Sequence, residues 1–463
     1  MDLGAFRAAI GDIPVEDNPR LVQQKSRDHY WYSPLLKSQL DHVTAALVVA
    51  PRSTDEVVRV LAAAFAHDVP VTPRGAGTGN YGQAMPLSGG VVLDLKNMDK
   101  VLDIRPDRVR AQAGAIMSRI DGQAKAAVGG ELRFHPSTYR MATIGGFIAG
   151  GSGGVGSIRW GGLRNLGNIL GLRIVTCEAA PRVLDLKGAD ILKVAHAYGT
   201  NGIVVECEMP LATAQDWIEV AAGFDDFIES CRFAEALARQ DGLLVKEISP
   251  VAAPIGYDYF GRYRDFMRPE QSLVLIMAAA NGVEALELFM AHHGAELLHR
   301  SDLHTERRLP PIYEFTWNHT TLRGLKVDPS ITYLQTQYPS LAHVEKIVGM
   351  FGDELPMHIE MTRFDGRVVF SGLPIVRFTS EQRLDEIIRI HEANDCLVFN
   401  PHRFTLEEGG MKRTDRGQLD FKREADPKGL LNPGKMIAWD DPDFDFESGR
   451  VWLFSSLAER GAA

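Results

Sequence analysis

Two glycine-rich runs in the chain, GTGNYG at 77–82 and GSGGVG at 151–156, share the spelling G-x-G-x-x-G. A backbone without side chains can turn tightly there and aim its N–H groups at a phosphate. A nicotinamide fingerprint needs a helix opening directly on such a turn. After Gly82 the chain meets Pro86, Gly89, Gly90 and the strand-like VVLDL, and after Gly156 it reads SIRWGG, with no amphipathic helix. The runs therefore read as two anion nests able to clasp one pyrophosphate from both sides. Proton chemistry has candidates too: His358 and Glu360, two apart in MHIEMTRF, fall on one face of a strand opposite Met357, Ile359 and Met361.

Those residues need elements to position them. The stretch ALVVAPRSTDEVVRVLAAAFAHDVPVTPRG carries a strand, a Ser53-x-x-Glu56 capping box, apolar Val57, Val60, Leu61, Ala64 and Phe65 at helical spacing, and a second strand. It is a β-α-β unit that delivers its glycines at the end. From 91 to 211 short β runs alternate with glycine loops, with helix expected only around 116–128 and 188–198, so the fold class is α+β. The composition shifts near 213. Residues 216–240 read as a helix, GLLVKEIS and QSLVLIMAA as strands, and GVEALELFMAHHG as a helix. Tyr257, Tyr259, Phe260 and Tyr263 form an aromatic loop between them, for pocket lining or interface packing. Asp365-Gly366 between two alternating runs predicts a hairpin, and a helix follows at 380–394.

Composition excludes several classes. The 463 residues carry a net charge of −10, which speaks against nucleic-acid partners. The longest apolar stretch, Leu273 to Ala280, is too short to span a bilayer, and the N-terminus lacks an apolar leader, so no membrane span and a cytoplasmic location are expected. Cys177, Cys207, Cys231 and Cys396 are scattered without C-x-x-C spacing, which predicts buried free thiols rather than a zinc or iron-sulfur site.

In order, PVTPRGAGTGNYG, TIGGFIAGGSGGVGSIRWGG and YGTNGIVVECEMPL resemble the FAD domain of the FAD-linked oxidase family, which includes vanillyl-alcohol oxidase and para-cresol methylhydroxylase. The tail DPKGLLNPGKM resembles the glycolate oxidase and D-lactate dehydrogenase branch. The resemblance covers roughly 45–212 and 395–437. It implies a two-part FAD-binding domain of the para-cresol methylhydroxylase type at 1–212, an inserted α+β substrate domain at 213–395, and a segment at 396–463 that returns to the FAD domain. Pro73, Arg74, Gly75, Ala76, Gly77, Thr78, Gly79, Gly82 and Gln83 would then surround the pyrophosphate. Pro136, Ser137, Thr143, Ile144, Gly145, Gly146, Gly150, Ser152, Gly153 and Gly154 would form the other side, and Ile203 and Val204 would meet the ring system through their backbone. Relatives that bond FAD covalently often place a histidine where this chain has Thr78, so non-covalent FAD is expected. His135 matches no attachment position.

A flavin enzyme of this kind removes the carbinol C–H of its substrate and needs a base for the hydroxyl proton. His402, in Asn400-Pro401-His402-Arg403, stands where the branch has a Glu-His pair and is the first choice. His358 and His319 are further candidates, with Arg403, Arg363, Arg323 or Arg377 to anchor a carboxylate. The segment FGDELPMH echoes the branch's metal-binding G-H-x-G-D-G-N-x-H without its first histidine, so a divalent metal near His358, Glu360 and His402 is left as an alternative to the expected metal-free site and no metal ligands are assigned. The expected substrate is a small hydroxy acid, of the D-2-hydroxy class that includes glycolate and D-lactate. The acceptor is open among oxygen, a quinone, a cytochrome and an electron-transfer flavoprotein. The alternative is a non-catalytic or partner-dependent FAD-binding subunit of a larger oxidase.

Overall fold

The computed structural model describes residues 1–305, 309–409 and 416–445. The expected C-terminal segment is thus described over 396–409 and 416–445, and the rest of it lies outside the described residues.

The β-α-β unit forms as Leu47–Val49, Thr54–Ala66 and Val71–Arg74. Ser53 Oγ accepts the Glu56 N–H at 3.2 Å and the Glu56 carboxylate accepts the Arg52 N–H at 2.7 Å, which starts the helix. Val57, Val60, Leu61 and Ala64 are buried beneath it, and Phe65 packs partly buried on the same core. Both strands pair in parallel with Val91–Asp94, which lies between them, and Val15–Glu16 adds an antiparallel edge. In a second sheet the long strand Ile203–Thr213 lies between Arg108–Gln112 and Gly171–Val175. The two sheets share one apolar core.

A third, antiparallel sheet has the order Val245–Val251, Ser272–Ala279, Trp217–Phe224, Glu296–Arg300. It corrects the helix expected over 216–240: the chain makes the central strand Trp217–Phe224 first, and only Phe227–Ala238 is helical. The strand is flanked on both edges, and Gly223 lets the Gln271 side chain lie against it, which a helix pattern does not reveal. A fourth sheet holds the expected hairpin, Ile359–Phe364 with Arg367–Gly372, whose turn residues Asp365 and Gly366 both have positive φ (47° and 76°). It joins the third sheet through a bridge between Val251 and His358. The helices Met117–Val128, Val283–His292 and Glu381–Ala393 fall where expected, whereas 188–198 yields only a 3-10 turn over Gly188–Lys193.

No helix follows Gly82. The second glycine segment differs from the reading: Ile144–Gly150 is helical, and a single turn, Ser157–Trp160, follows Gly156. Three glycines disfavour a helix locally. Burial of Ile144, Phe147 and Ile148 and the close approach of Gly145 to Ala113 override that preference.

The tail DPKGLLNPGKM returns to the first sheet, where Leu431 bridges Val71. Asn432 donates its side-chain amide to the carbonyls of Gln83 (2.8 Å) and Tyr198 (2.7 Å), and Lys435 Nζ donates to Gly82 O at 2.7 Å. The fold is α+β throughout.

Candidate cofactor and active site

The strand Val71–Arg74 runs straight into Gly75–Gly79, and opposite it Thr143 opens the helix Ile144–Gly150, its Oγ accepting the Gly146 N–H at 3.2 Å. The two segments touch. A methyl group at Gly75 would strike the Thr143 hydroxyl, and one at Gly150 would stand 3.7 Å from the Gln83 amide. The loop before Ile203 closes the third side, with Gly199 packed on the Pro73 ring.

Between these segments lies a cleft of about 1460 Å³, counting its open mouth. Within it the backbone N–H groups of Ala76, Gly77, Thr78 and Gly79 donate to no acceptor among the described residues. Consecutive free amides of this kind form a ready-made anion site. The cleft continues to Trp317, Asn318 and His319 on one wall and to Asp28, His29 and Tyr32 on another, with Gln335 between.

A family model described as "FAD binding domain" matches residues 45–184. This part of the chain is an FAD-binding domain. The chain is 33% identical over 174 residues to the glycolate oxidase subunit GlcD of Bacillus subtilis, an alignment covering 35% of this chain and 36% of that protein. It is 33% identical over 169 residues to the D-lactate dehydrogenase of Archaeoglobus fulgidus, covering 36% of each. The chain thus aligns with little more than a third of the length of these curated relatives. Among solved structures, alkyldihydroxyacetonephosphate synthase superposes with a TM-score of 0.69 at 16% identity, over 94% of this chain and 86% of that one. That likeness is one of fold.

Most residues expected at the cofactor line this cleft: Pro73 to Gly79, Gln83, Pro136, Ser137, Thr143, Gly145, Gly146, Gly150, Ser152, Gly153, Ile203 and Val204. Gly82, Ile144 and Gly154 lie behind it and shape the turns. Ile144 is fully buried, and at Gly154 a side chain would hit the carbonyl of His135.

The expected catalytic set is scattered. Only His319 lines the cleft; burial, and next the Arg323 guanidinium, hold its pKa down to about 4. His402 is 1% exposed, with Nδ1 2.7 Å from Ser33 Oγ and Nε2 3.0 Å from the carbonyl of Tyr333. A carbonyl only accepts, so Nε2 carries the hydrogen and Nδ1 accepts from the serine, whose Oγ in turn accepts the Leu36 N–H. Burial pushes this imidazole down to about 3. It links the N-terminal segment to the strand Ile331–Tyr333 and does not face the cleft. Arg363 donates to Ile158 O on another groove, Arg377 to Asp353 O, and Arg323 to Glu314 O while lying 4.0 Å over the Phe315 ring. Arg403 does not line the cleft either.

His358 and Glu360 share a strand face as expected, yet they are sealed inside. His358 Nε2 is 2.8 Å from Glu360 Oε1 and 3.1 Å from Ser249 Oγ. Glu247 joins them. Burial, then repulsion from Glu360, lifts Glu247 far above the carboxylate range, and burial lifts Glu360 to about 7. Both carboxyls serve Trp317: its backbone N–H donates to Glu360 at 2.5 Å and its indole N–H to Glu247 at 3.0 Å. Trp317 has a positive φ of 53°, which these bonds hold in place, and its ring reaches the second glycine loop at Gly153. Among the described residues no three of His, Cys, Asp and Glu converge as metal ligands.

Asp28, His29 and Tyr32 were not anticipated. The only signal was chemical: RDHYWYSP packs charged, imidazole and aromatic groups just ahead of the β-α-β unit.

Proposed function

We propose that the chain is an FAD-dependent oxidoreductase that oxidises the carbinol C–H of a small hydroxy acid, of the D-2-hydroxy class that includes glycolate and D-lactate. The observation that carries this reading is one continuous cleft. It begins at the free amides of Ala76 to Gly79 in the FAD-binding domain and ends on Trp317, Asn318 and His319 of the region from 213 to 395, which we read as the substrate domain. The relatives' names, glycolate oxidase subunit and D-lactate dehydrogenase, support the substrate class.

The amides of Ala76 to Gly79 and the bare backbone of Gly145, Gly146, Gly150 and Gly153 would hold the pyrophosphate, and Ile203 and Val204 would flank the ring system. Bound FAD supplies a two-electron acceptor. Thr78 stands where covalent attachment would call for an imidazole, so heat or acid denaturation is expected to release the flavin into the supernatant. Attached flavin after denaturation would overturn that point.

The test is anaerobic bleaching of the flavin absorbance by a panel of hydroxy acids and alcohols. Bleaching by D-2-hydroxy acids supports the reading, and a flavin that no member reduces refutes it. A second reading has a specific support: the Bacillus relative is named as a subunit. Under it, bleaching appears only when a partner protein is added.

No helix among the described residues is long and apolar enough to cross a membrane.

A further inference from the structure

The proposed oxidation requires a base, and hydrogen bonding sorts the imidazoles around the cleft. His402 has both ring nitrogens engaged, one on Ser33 and one on Tyr333. His358 is fully buried behind Trp317, with Nε2 taken by Glu360. His135 is buried with Nδ1 on the carbonyl of Pro136 and lies behind the lining. Two imidazoles face the cleft, His29 and His319. His319 is 8% exposed, and its Nδ1 has no hydrogen-bond partner among the described residues, the Glu314 carboxylate standing 3.6 Å away.

His29 is set apart from the three engaged imidazoles by its free ring nitrogens, and from His319 by its anchorage on the first glycine loop. Its backbone N–H donates to Gly79 O at 2.6 Å, which fastens it to the first glycine loop. Its ring stacks on Tyr32, with centroids 5.8 Å apart and planes 11° from parallel, and leans on Trp31 at 5.9 Å. Neither ring nitrogen has a hydrogen-bond partner among the described residues. Aromatic contacts thus fix the ring while both nitrogens stay free for a group in the cleft.

The segment is rigid on every side. The Asp28 carboxylate accepts the N–H groups of Tyr30 (2.9 Å) and Ala84 (3.1 Å), and Thr332 Oγ donates to Tyr32 O at 2.8 Å. Such preorganisation is what a catalytic group needs.

We propose that His29 is the base that takes the substrate's hydroxyl proton. The assignment rests on the function proposed above and deepens it. The O–H bond breaks toward a free ring nitrogen of His29, the carbinol hydrogen leaves with its electron pair to the bound flavin, and the substrate departs as a carbonyl compound. Carbon is oxidised by two electrons, the flavin is reduced by two, and one proton rests on the imidazole.

The charged surroundings favour the resting base. Burial, followed by the Arg74 guanidinium, lowers the His29 pKa below 6.5. His319 faces it, and Asp28, adjacent in sequence, is raised to about 6 by its own burial. His29 is therefore neutral, and able to accept a proton, at pH 7.

The test combines His29→Asn with His29→Ala. In anaerobic single-turnover reduction, His29→Asn is expected to slow flavin bleaching at least about 100-fold while flavin content and Tm stay unchanged. Added imidazole is expected to restore part of the rate in His29→Ala, which a merely structural role would not permit. A readout independent of turnover is the histidine ring NMR titration of the wild-type protein: His29 should titrate below pH 6.5. Wild-type bleaching matched by both variants, absence of imidazole rescue, or a His29 titration above pH 7 would overturn the assignment. If no carbinol compound bleaches the wild type, the functional reading fails and the base falls with it.

Discussion

Trp317 concentrates the chemistry of a single position. A non-glycine residue with positive φ is strained by about 1–3 kcal/mol, and here two buried carboxyls hold it by both of its N–H groups. Two carboxyls so close cannot both ionise, and Glu247, lifted far above the carboxylate range, keeps its proton while Glu360, raised to about 7, is the first of the pair to ionise. Glu247→Gln should therefore change stability by less than about 1 kcal/mol, since it replaces a neutral group by a neutral isostere. Glu360→Leu strands the Trp317 N–H and the His358 ring and should cost about 3 kcal/mol. Urea unfolding at pH 7 measures both, and the reverse order would place the charge on Glu247. Glycines permit a similar contrast. Gly75→Ala drives a methyl into Thr143 and should weaken FAD binding at least about tenfold, read as the flavin-to-protein absorbance ratio. Gly122→Ala sits in the helix Met117–Val128 with open space around it and should add about 0.5–1 kcal/mol of stability without touching the flavin.

At the scale of elements, His402 acts as a fastener between the N-terminal helix Pro34–Leu40, through Ser33, and the strand Ile331–Tyr333. Its pKa falls from 6.5 unfolded to about 3 folded. The unfolded chain therefore binds a proton first as pH falls, so the stabilisation is complete above pH 6.5 and drains away toward pH 3. Between pH 6.5 and 5 the wild type should lose about 2 kcal/mol more than His402→Gln, which has no proton to take up. Equal losses in urea titrations at the two pH values would refute the fastener.

The same elements show what the sequence made legible. The capping box at Ser53 and Glu56, the Asp365-Gly366 turn and the helix-free first glycine run are local signals, and each appears where its residues place it. Trp217–Phe224 was misread because its Trp, Ile, Val and Phe also satisfy a helical stripe, and only pairing on both edges decides for a strand. His402 was misjudged for a related reason. Its residue type suggested a base, whereas its role depends on Ser33, 369 positions away. His29 went unread because the segment that holds it gains meaning only once Gly79 and Ala84 fold against it.

For the whole molecule, the cleft draws on distant parts of the chain. The tail closes it through Asn432, whose amide satisfies two backbone carbonyls on separate loops, Gln83 and Tyr198, and Asn432 is fully buried. Asn432→Ala removes both bonds and should cost about 2–4 kcal/mol and loosen the flavin, as an equilibrium titration with FAD would show. Unchanged FAD affinity would mean that the two glycine loops hold their geometry without the tail. The signature LLNPGKM was legible as a family likeness, and the structure gives its physical reason: Leu431 pairs with Val71, Asn432 bridges two loops, and Lys435 caps the carbonyl of Gly82.

That returning tail also sets a schedule for biosynthesis. A growing polypeptide presents both glycine loops early, yet Asn432 and Lys435 reach them only after more than two hundred further residues have left the ribosome. Ribosome-stalled chains ending before 426 should retain no FAD on a spin column, whereas the released protein should. Flavin loading is then a step that follows translation.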